Sequence, residues 1–129
     1  GPKTPGVGFG SGIERIILGL RAAGIEPEGG TALPVFIAYM GHEAKAKAVD
    51  IVFELRDKGI GTRIAFALDR RSLKSQMREA GRHESRFVLI IGESELESGE
   101  IQVRDMVNHS QHAVPFPEIA AWLEARGIK

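Results

Sequence analysis

The sequence contains no cysteine, which excludes disulfides and thiolate metal ligands and is compatible with a reducing compartment. It has no apolar run near the roughly 18 residues that cross a bilayer, so no membrane association is expected. Its first residues lack the basic-then-apolar order of a signal peptide. It carries no net charge, with seventeen basic residues against seventeen acidic. The bulk cationic field of a general nucleic-acid binder is therefore missing, and any RNA site must be local and rest on specific contacts. No internal repeat is present. Nor is there an initiating Met; the Gly1-Pro2 opening leads us to expect a natural start elsewhere.

What remains is 129 residues, 43% apolar and 26% charged. That is one ordinary domain's worth, long enough to bury a core without staples. The composition belongs to folded globular chains rather than disordered ones.

Residues 1–10 are rich in Gly and Pro. Ile13, Ile16, Ile17 and Leu20 then recur at helical spacing. Ser11 is a plausible N-cap with Glu14 three residues on, and Gly24 a plausible stop. Residues 24–33 read as a linker.

Residues 34–40 are a buried strand, 42–58 a helix with Ala44, Ala48, Ile51, Val52 and Leu55 inward, and 60–67 a second strand. Residues 71–80 form a second helix with Leu73, Met77 and Ala80 inward and Gly81 as its stop. Residues 86–92 form a third strand. This alternation predicts right-handed crossovers on a parallel sheet, with helices on both faces. Residues 101–107 alternate apolar and polar, residues 110–114 are a shorter strand, and the two suit an edge hairpin. Pro117 opens a final amphipathic helix carrying Ile119, Trp122 and Leu123. The expected fold is α/β: a three-layer α/β/α domain over 34–129 with a mixed, mostly parallel five-stranded sheet.

Two segments carry chemistry. In residues 4–20, TPGVGFGSGIERIILGL, the glycines Gly8, Gly10 and Gly12 let a backbone pass close to a ligand. Arg15 offers a planar cation for phosphate or adenine. A glycine-rich linker before a solvated helix is the plainer reading of the composition. The second segment runs from Asp69 to Arg86, with six basic and three acidic residues, a net +3. Arg71, Lys74, Ser75 and Arg78 are expected opposite Leu73 and Met77. Ser72 lies at a helix N-terminus whose free N–H groups suit phosphate. A solvated amphipathic face is the plainer alternative.

Residues 4–20 resemble motif 3 of class II aminoacyl-tRNA synthetases, where a TPG-x-GF-x-x-G-x-ER-like string opens a helix; Gly1-Pro2 also suits it. The R-SLK-x-Q string at 71–76 is similar to the C-terminal domain of the histidyl-tRNA synthetase family. So are GHEA at 41–44, IIGE-x-E at 90–95, VRDM at 103–106 and VPF-x-EI-x-x-WL at 114–123. The resemblance covers almost the whole chain. It divides the chain into a catalytic-domain remnant (1–23), a linker (24–33) and an anticodon-binding domain (34–129).

The resemblance implies tRNA(His) as partner and a cytoplasmic, homodimeric parent enzyme using ATP and Mg. In that enzyme Arg15 would contact the ATP phosphates, with Gly8, Gly10 and Gly12 walling the pocket. Motifs 1 and 2 have no counterpart here, so this chain alone is expected to be inactive and to hold no cofactor. Unstacked anticodon bases can stack on aromatics and pair through their edges, and open α/β sheets bind ligands at strand carboxyl ends. Arg71 and Lys74 are the expected phosphate contacts, with Arg70 and Ser72 beside them. Tyr39 or Phe66 would stack, unless both are ordinary core. Gln76 and Glu43 are expected at base edges, and Glu93 follows the third strand. His42, His83, His109 and His112 make no metal pattern. A rival reading is a synthetase-like regulatory or accessory protein that reuses the domain for protein interaction.

Overall fold

The structure is a computed structural model that describes residues 3–25, 33–65 and 72–128. It divides into two compact units, Gly1–Gly30 and Thr31–Lys129. The first holds helix α1 (Ile13–Ala22), none of whose residues is buried. Gly12, not Ser11, is its N-cap, and no side chain caps it. Without Ser11 or Glu14 bonds to the free N–H groups, the expected capping box does not form. Gly24 does close the helix, at φ +71°, with Ile25 N donating to Leu20 O.

The second unit runs β1 (Val35–Tyr39), α2 (His42–Asp57), β2 (Thr62–Ile64), α3 (Leu73–Arg82), β3 (Phe87–Ile91), α4 (Glu93–Ser98), β4 (Glu100–Asp105), β5 (Gln111–Pro115), a 3-10 turn at Phe116–Glu118 and α5 (Ile119–Glu124). The sheet order is β2-β1-β3-β4-β5. β1 pairs in parallel with β2 and β3, while β4 is antiparallel to both β3 and β5. The pairings are thus evenly mixed, although four of the five strands point one way.

Side chains alternate across the pleat, and the two faces are covered unequally. One face buries Val35, Ile37, Phe87, Leu89, Ile91, Ile101 and Val103 against apolar residues of α2 and α5 and Leu96 of α4. The other buries Phe36, Ala38 and Val88, with Ala80, Leu73 and Met77 of α3 packed on them. Among the described residues of this unit helices do lie on both faces, with α2, α4 and α5 on one side and α3 on the other. Opposite α3's flank, β4 and β5 present Gln102, Arg104 and Gln111. Arg104 and Gln111 are exposed, Gln102 is half-buried, and the Gln111 amide donates to the Gln102 carbonyl at 3.1 Å. That half-open face is what the polar alternation of residues 101–107 encodes.

Two helix ends show why these boundaries fall where they do. Gly59 sits at φ +79° while Ile60 N donates to Leu55 O and Gly59 N to Arg56 O, which closes α2. In α3 the expected stop at Gly81 is not used. The helix runs through it, Glu84 takes the left-handed conformation at φ 52°, and Ser85 N donates to Ala80 O. The left-handed position follows from those two closing bonds, Glu84 N to Gly81 O and Ser85 N to Ala80 O. Among the described residues no helix is long and apolar enough to cross a membrane.

Candidate nucleic-acid interface

The carboxyl end of β1 is held by a side chain. Tyr39 N donates to Gln76 Oε1 at 2.9 Å, and Gln76 Nε2 donates to Tyr39 O at 2.7 Å. Gln76 is 2% exposed, so its amide is turned inward and occupied. The expectation that it meets base edges therefore does not fit its geometry. Helical phase carries the reason: Leu73, Gln76, Met77 and Ala80 fall at i, i+3, i+4 and i+7, one inward face.

The other expected residues gather where the strands end. Tyr39 is half-buried and packs against both core clusters. Met40 and Gly41, the latter at φ +97°, lead into α2, and Glu43 is exposed in its first turn. Ser72 is the N-cap of α3, its hydroxyl accepting from Ser75 N at 3.3 Å. Lys74 is exposed in the next turn, and Glu93 is exposed at the start of α4. Between them Gly92 N donates to Glu95 Oε2 at 2.8 Å. A Cβ on Gly92 would lie 3.0 Å from that oxygen and 3.2 Å from Met40 Cε, so the β1 and β3 ends are closely packed. Phe66, Arg70 and Arg71 lie outside the described residues.

Lys74 and Arg78, expected opposite Leu73 and Met77, share a surface with them. All four line one open groove of about 590 Å³ along the flank of α3. Arg104, Met106 and His109 form its other side. Among the described residues of this unit no second helix packs on this face, so neighbours in sequence look into the same space. Leu73, Met77 and Met106 give it an apolar lining; Lys74, Arg78 and Arg104 give it fixed positive charge.

The sequence reading missed Arg104, Met106 and His109. The polar alternation of IQVRD already pointed Arg104 to the open face. The loop that follows had no such signal. It is fastened by Asp105, which is 6% exposed. Its Oδ1 accepts from Val107 N at 2.8 Å and Asn108 N at 3.0 Å, and its Oδ2 from Asn108 Nδ2 at 2.9 Å. The Asn108 backbone N–H, chief among these, holds the carboxyl below the usual carboxylate range. Burial opposes this, while the Asn108 side chain, the Val107 N–H and the nearby Arg86 charge assist. His109 then turns at φ 54° to bring the chain back into β5.

The charge is thus zoned. Exposed carboxylates of Glu43 and Glu93 sit at neighbouring strand ends, suited to accept hydrogen bonds from donor edges. Cations line the groove beside α3, suited to phosphate. In the first unit Gly8, Gly10, Gly12 and Arg15 are all exposed. A Cβ on Gly8 or Gly10 meets nothing within 4 Å, and one on Gly12 only Arg15 Cβ, so no close approach inside that unit requires them. No group of three or more His, Cys, Asp or Glu able to hold a metal occurs among the described residues.

Residues 34–126 match the family model described as "Anticodon binding domain". The histidine–tRNA ligase of Pelotomaculum thermopropionicum is 44% identical over 126 residues, 98% of this chain and 29% of that protein. That of Lysinibacillus sphaericus is 40% identical over 123 residues, 95% of this chain and 29% of that protein. The chain therefore spans 29% of the length of these curated relatives. Among solved structures, apo histidyl-tRNA synthetase of S. aureus superposes with TM-score 0.66 at 33% identity, over 85% of this chain and 32% of that one. The RNA binding domain of threonyl-tRNA synthetase from Cryptosporidium parvum gives TM-score 0.65 at 16% identity, over 78% of this chain and 26% of that one, a likeness of fold alone. On the match of residues 34–126, the chain belongs to the anticodon binding domain family.

Proposed function

We propose that this chain is the anticodon-binding region of a histidine–tRNA ligase and reads the anticodon of tRNA(His). The observation that carries the reading is the groove beside α3, apolar within and cationic at its sides, opening on the half-covered face of the sheet. A single-stranded loop offers what this surface takes: flat bases for apolar contact and a phosphate chain for the cations. Lys74, Arg78 and Arg104 hold phosphates, joined by Arg70, Arg71 and Ser72. Tyr39 and Phe66 supply stacking faces, and Glu43 and Glu93 accept from base edges. Gln76 serves indirectly, through Tyr39.

The parent enzyme uses ATP and Mg, is a homodimer and works in the cytoplasm; family membership and the resemblance of residues 4–20 support this reading. There Arg15 contacts the ATP phosphates and Gly8, Gly10 and Gly12 line the adenylate pocket. Arg15 and the open backbone of Gly8, Gly10 and Gly12 offer a cation and room for close approach, and among the described residues no carboxylate set for Mg occurs. They fit one wall of such a pocket and not the whole. With no counterpart of motifs 1 and 2, the chain by itself is expected to activate no histidine.

Nuclear magnetic resonance titration with an anticodon stem-loop tests the site. Amide shifts are expected at residues 72–78 and 104–109. Shifts confined to α5 and the outer face of α2 would overturn the placement.

A further inference from the structure

Gln76 performs a task that its place in a basic helix conceals. Parallel ladders alternate: β1 residues 35, 37 and 39 turn their backbone groups towards β2, while 34, 36, 38 and 40 turn theirs towards β3. The bonds follow this pattern. Val35 N donates to Gly61 O and Ala65 N to Ile37 O on the β2 side, and Met40 N donates to Ile91 O on the β3 side. β2 has only three residues, and its pairing with β1 ends at Ile37 and Ile64. Among the described residues, no β2 backbone therefore pairs with the N–H and C=O of Tyr39. Both are taken by the side-chain amide of Gln76, at 2.9 and 2.7 Å. One primary amide presents a carbonyl and an N–H side by side, as a peptide does. It continues the ladder one step beyond the strand.

We propose that Gln76 is a positioning residue for anticodon reading, a peptide surrogate that sets the first turn of α3 against the tip of β1. It rests on the function proposed above. Its two bonds fix the end of β1, from which Gly41 launches α2 with Glu43. They also fix the helix turn that carries Ser72 and Lys74. The stacking face of Tyr39, the carboxylate of Glu43 and the cation of Lys74 are thereby held in one spacing. A glutamate could accept from Tyr39 N but would turn a carboxylate oxygen to Tyr39 O; a methionine fills the space and does neither.

The test uses the full chain with Gln76→Met and Gln76→Glu, and Ile119→Val in α5 as a destabilised control away from the site. Hydrogen exchange at the Tyr39 amide reports the clamp without RNA. It is expected to quicken about tenfold or more relative to the Leu89 amide in Gln76→Met, which offers no acceptor, less in Gln76→Glu, which keeps one, and not in the control. Binding to stem-loops bearing GUG or a scrambled anticodon reports positioning. Discrimination is expected to fall about tenfold in the Gln76 variants, while the salt dependence stays within that of the unaltered chain, since no phosphate contact is removed. Unchanged Tyr39 exchange overturns the surrogate. Quickened exchange with full discrimination, or an equal loss of discrimination in Ile119→Val, overturns the positioning role. Should the unaltered chain bind both loops equally, the anticodon reading itself fails, and the exchange result still decides the clamp.

Discussion

Replacing Asp105 with alanine tests whether the far wall of the groove depends on one carboxylate. Asp105 is 6% exposed and accepts three hydrogen bonds from residues 107 and 108. A hydrogen bond to a charged group contributes about 1.5–3 kcal/mol. The three here share one loop, and Val107 and Asn108 are exposed, so their N–H groups regain water when released. Their contributions do not add, and the expected loss is roughly 2–3 kcal/mol. In a domain of about 100 residues each kcal/mol moves Tm by about 4–8 °C, so a fall of roughly 10–20 °C is expected. The pH dependence has a definite sign. The folded-state pKa of Asp105 is lowered, so its contribution is complete above the unfolded pKa near 3.9 and fades as pH falls through the folded value. Asp105→Asn keeps an acceptor for the two backbone N–H groups but loses the charge, and should fall between the wild type and alanine. Calorimetry from about pH 7 down to about pH 3 should show the gap between wild type and Asp105→Asn constant at first, then narrowing below about pH 4. A gap that widens in acid, or an alanine variant melting within about 2 °C of the wild type, would refute the reasoning.

Three further outcomes follow from the same geometry. Lys74→Gln should weaken binding to matched and mismatched stem-loops alike and reduce the slope of log K against log salt by about 0.7, one phosphate contact on a single strand; titration at several salt concentrations measures it. Gly59→Ala should destabilise the domain by about 1–2 kcal/mol in urea unfolding, because a Cβ there meets open space and only the φ of +79° resists it. ATP–pyrophosphate exchange with histidine should be undetectable for this chain alone; a measurable rate would contradict the reading of residues 4–20 as one wall of a larger site.

Much of the fold was legible because its signals are local. β1, β3 and α2 are marked by apolar runs, a 3.6-residue stripe and a glycine at the left-handed position 59. The short helix α4, ESELES, escaped notice because it has no apolar periodicity. It is held instead by the Glu95 carboxylate on Gly92 N and by Leu96 docking on the core, the second a contact that exists only once the rest of the core is in place. Gly81 misled because a glycine alone does not stop a helix; the closing bonds fall one turn later, at Glu84. Where the candidate residues lie in the fold was partly legible, and how they pack was not. Ser72 caps α3 as expected, and Glu43, Lys74 and Glu93 sit at strand ends. Gln76 was placed by its polarity, when its spacing from Ala80 already turned it inward. Arg104 and His109 join the groove through sheet pairing and a loop fastened by Asp105, long-range relations that no spacing along the chain displays.

The central claim is that the α3 groove and the strand ends beside it read an anticodon loop. Binding of this chain to stem-loops bearing GUG or a scrambled anticodon, at about 50 and about 200 mM salt, tests it most directly. Lys74, Arg78 and Arg104, joined by Arg70 and Arg71, predict parallel slopes of roughly −2 to −3.5 for both loops, with the GUG loop bound about tenfold or more tightly at each salt concentration. Equal affinity for the two loops at both salt concentrations would contradict it.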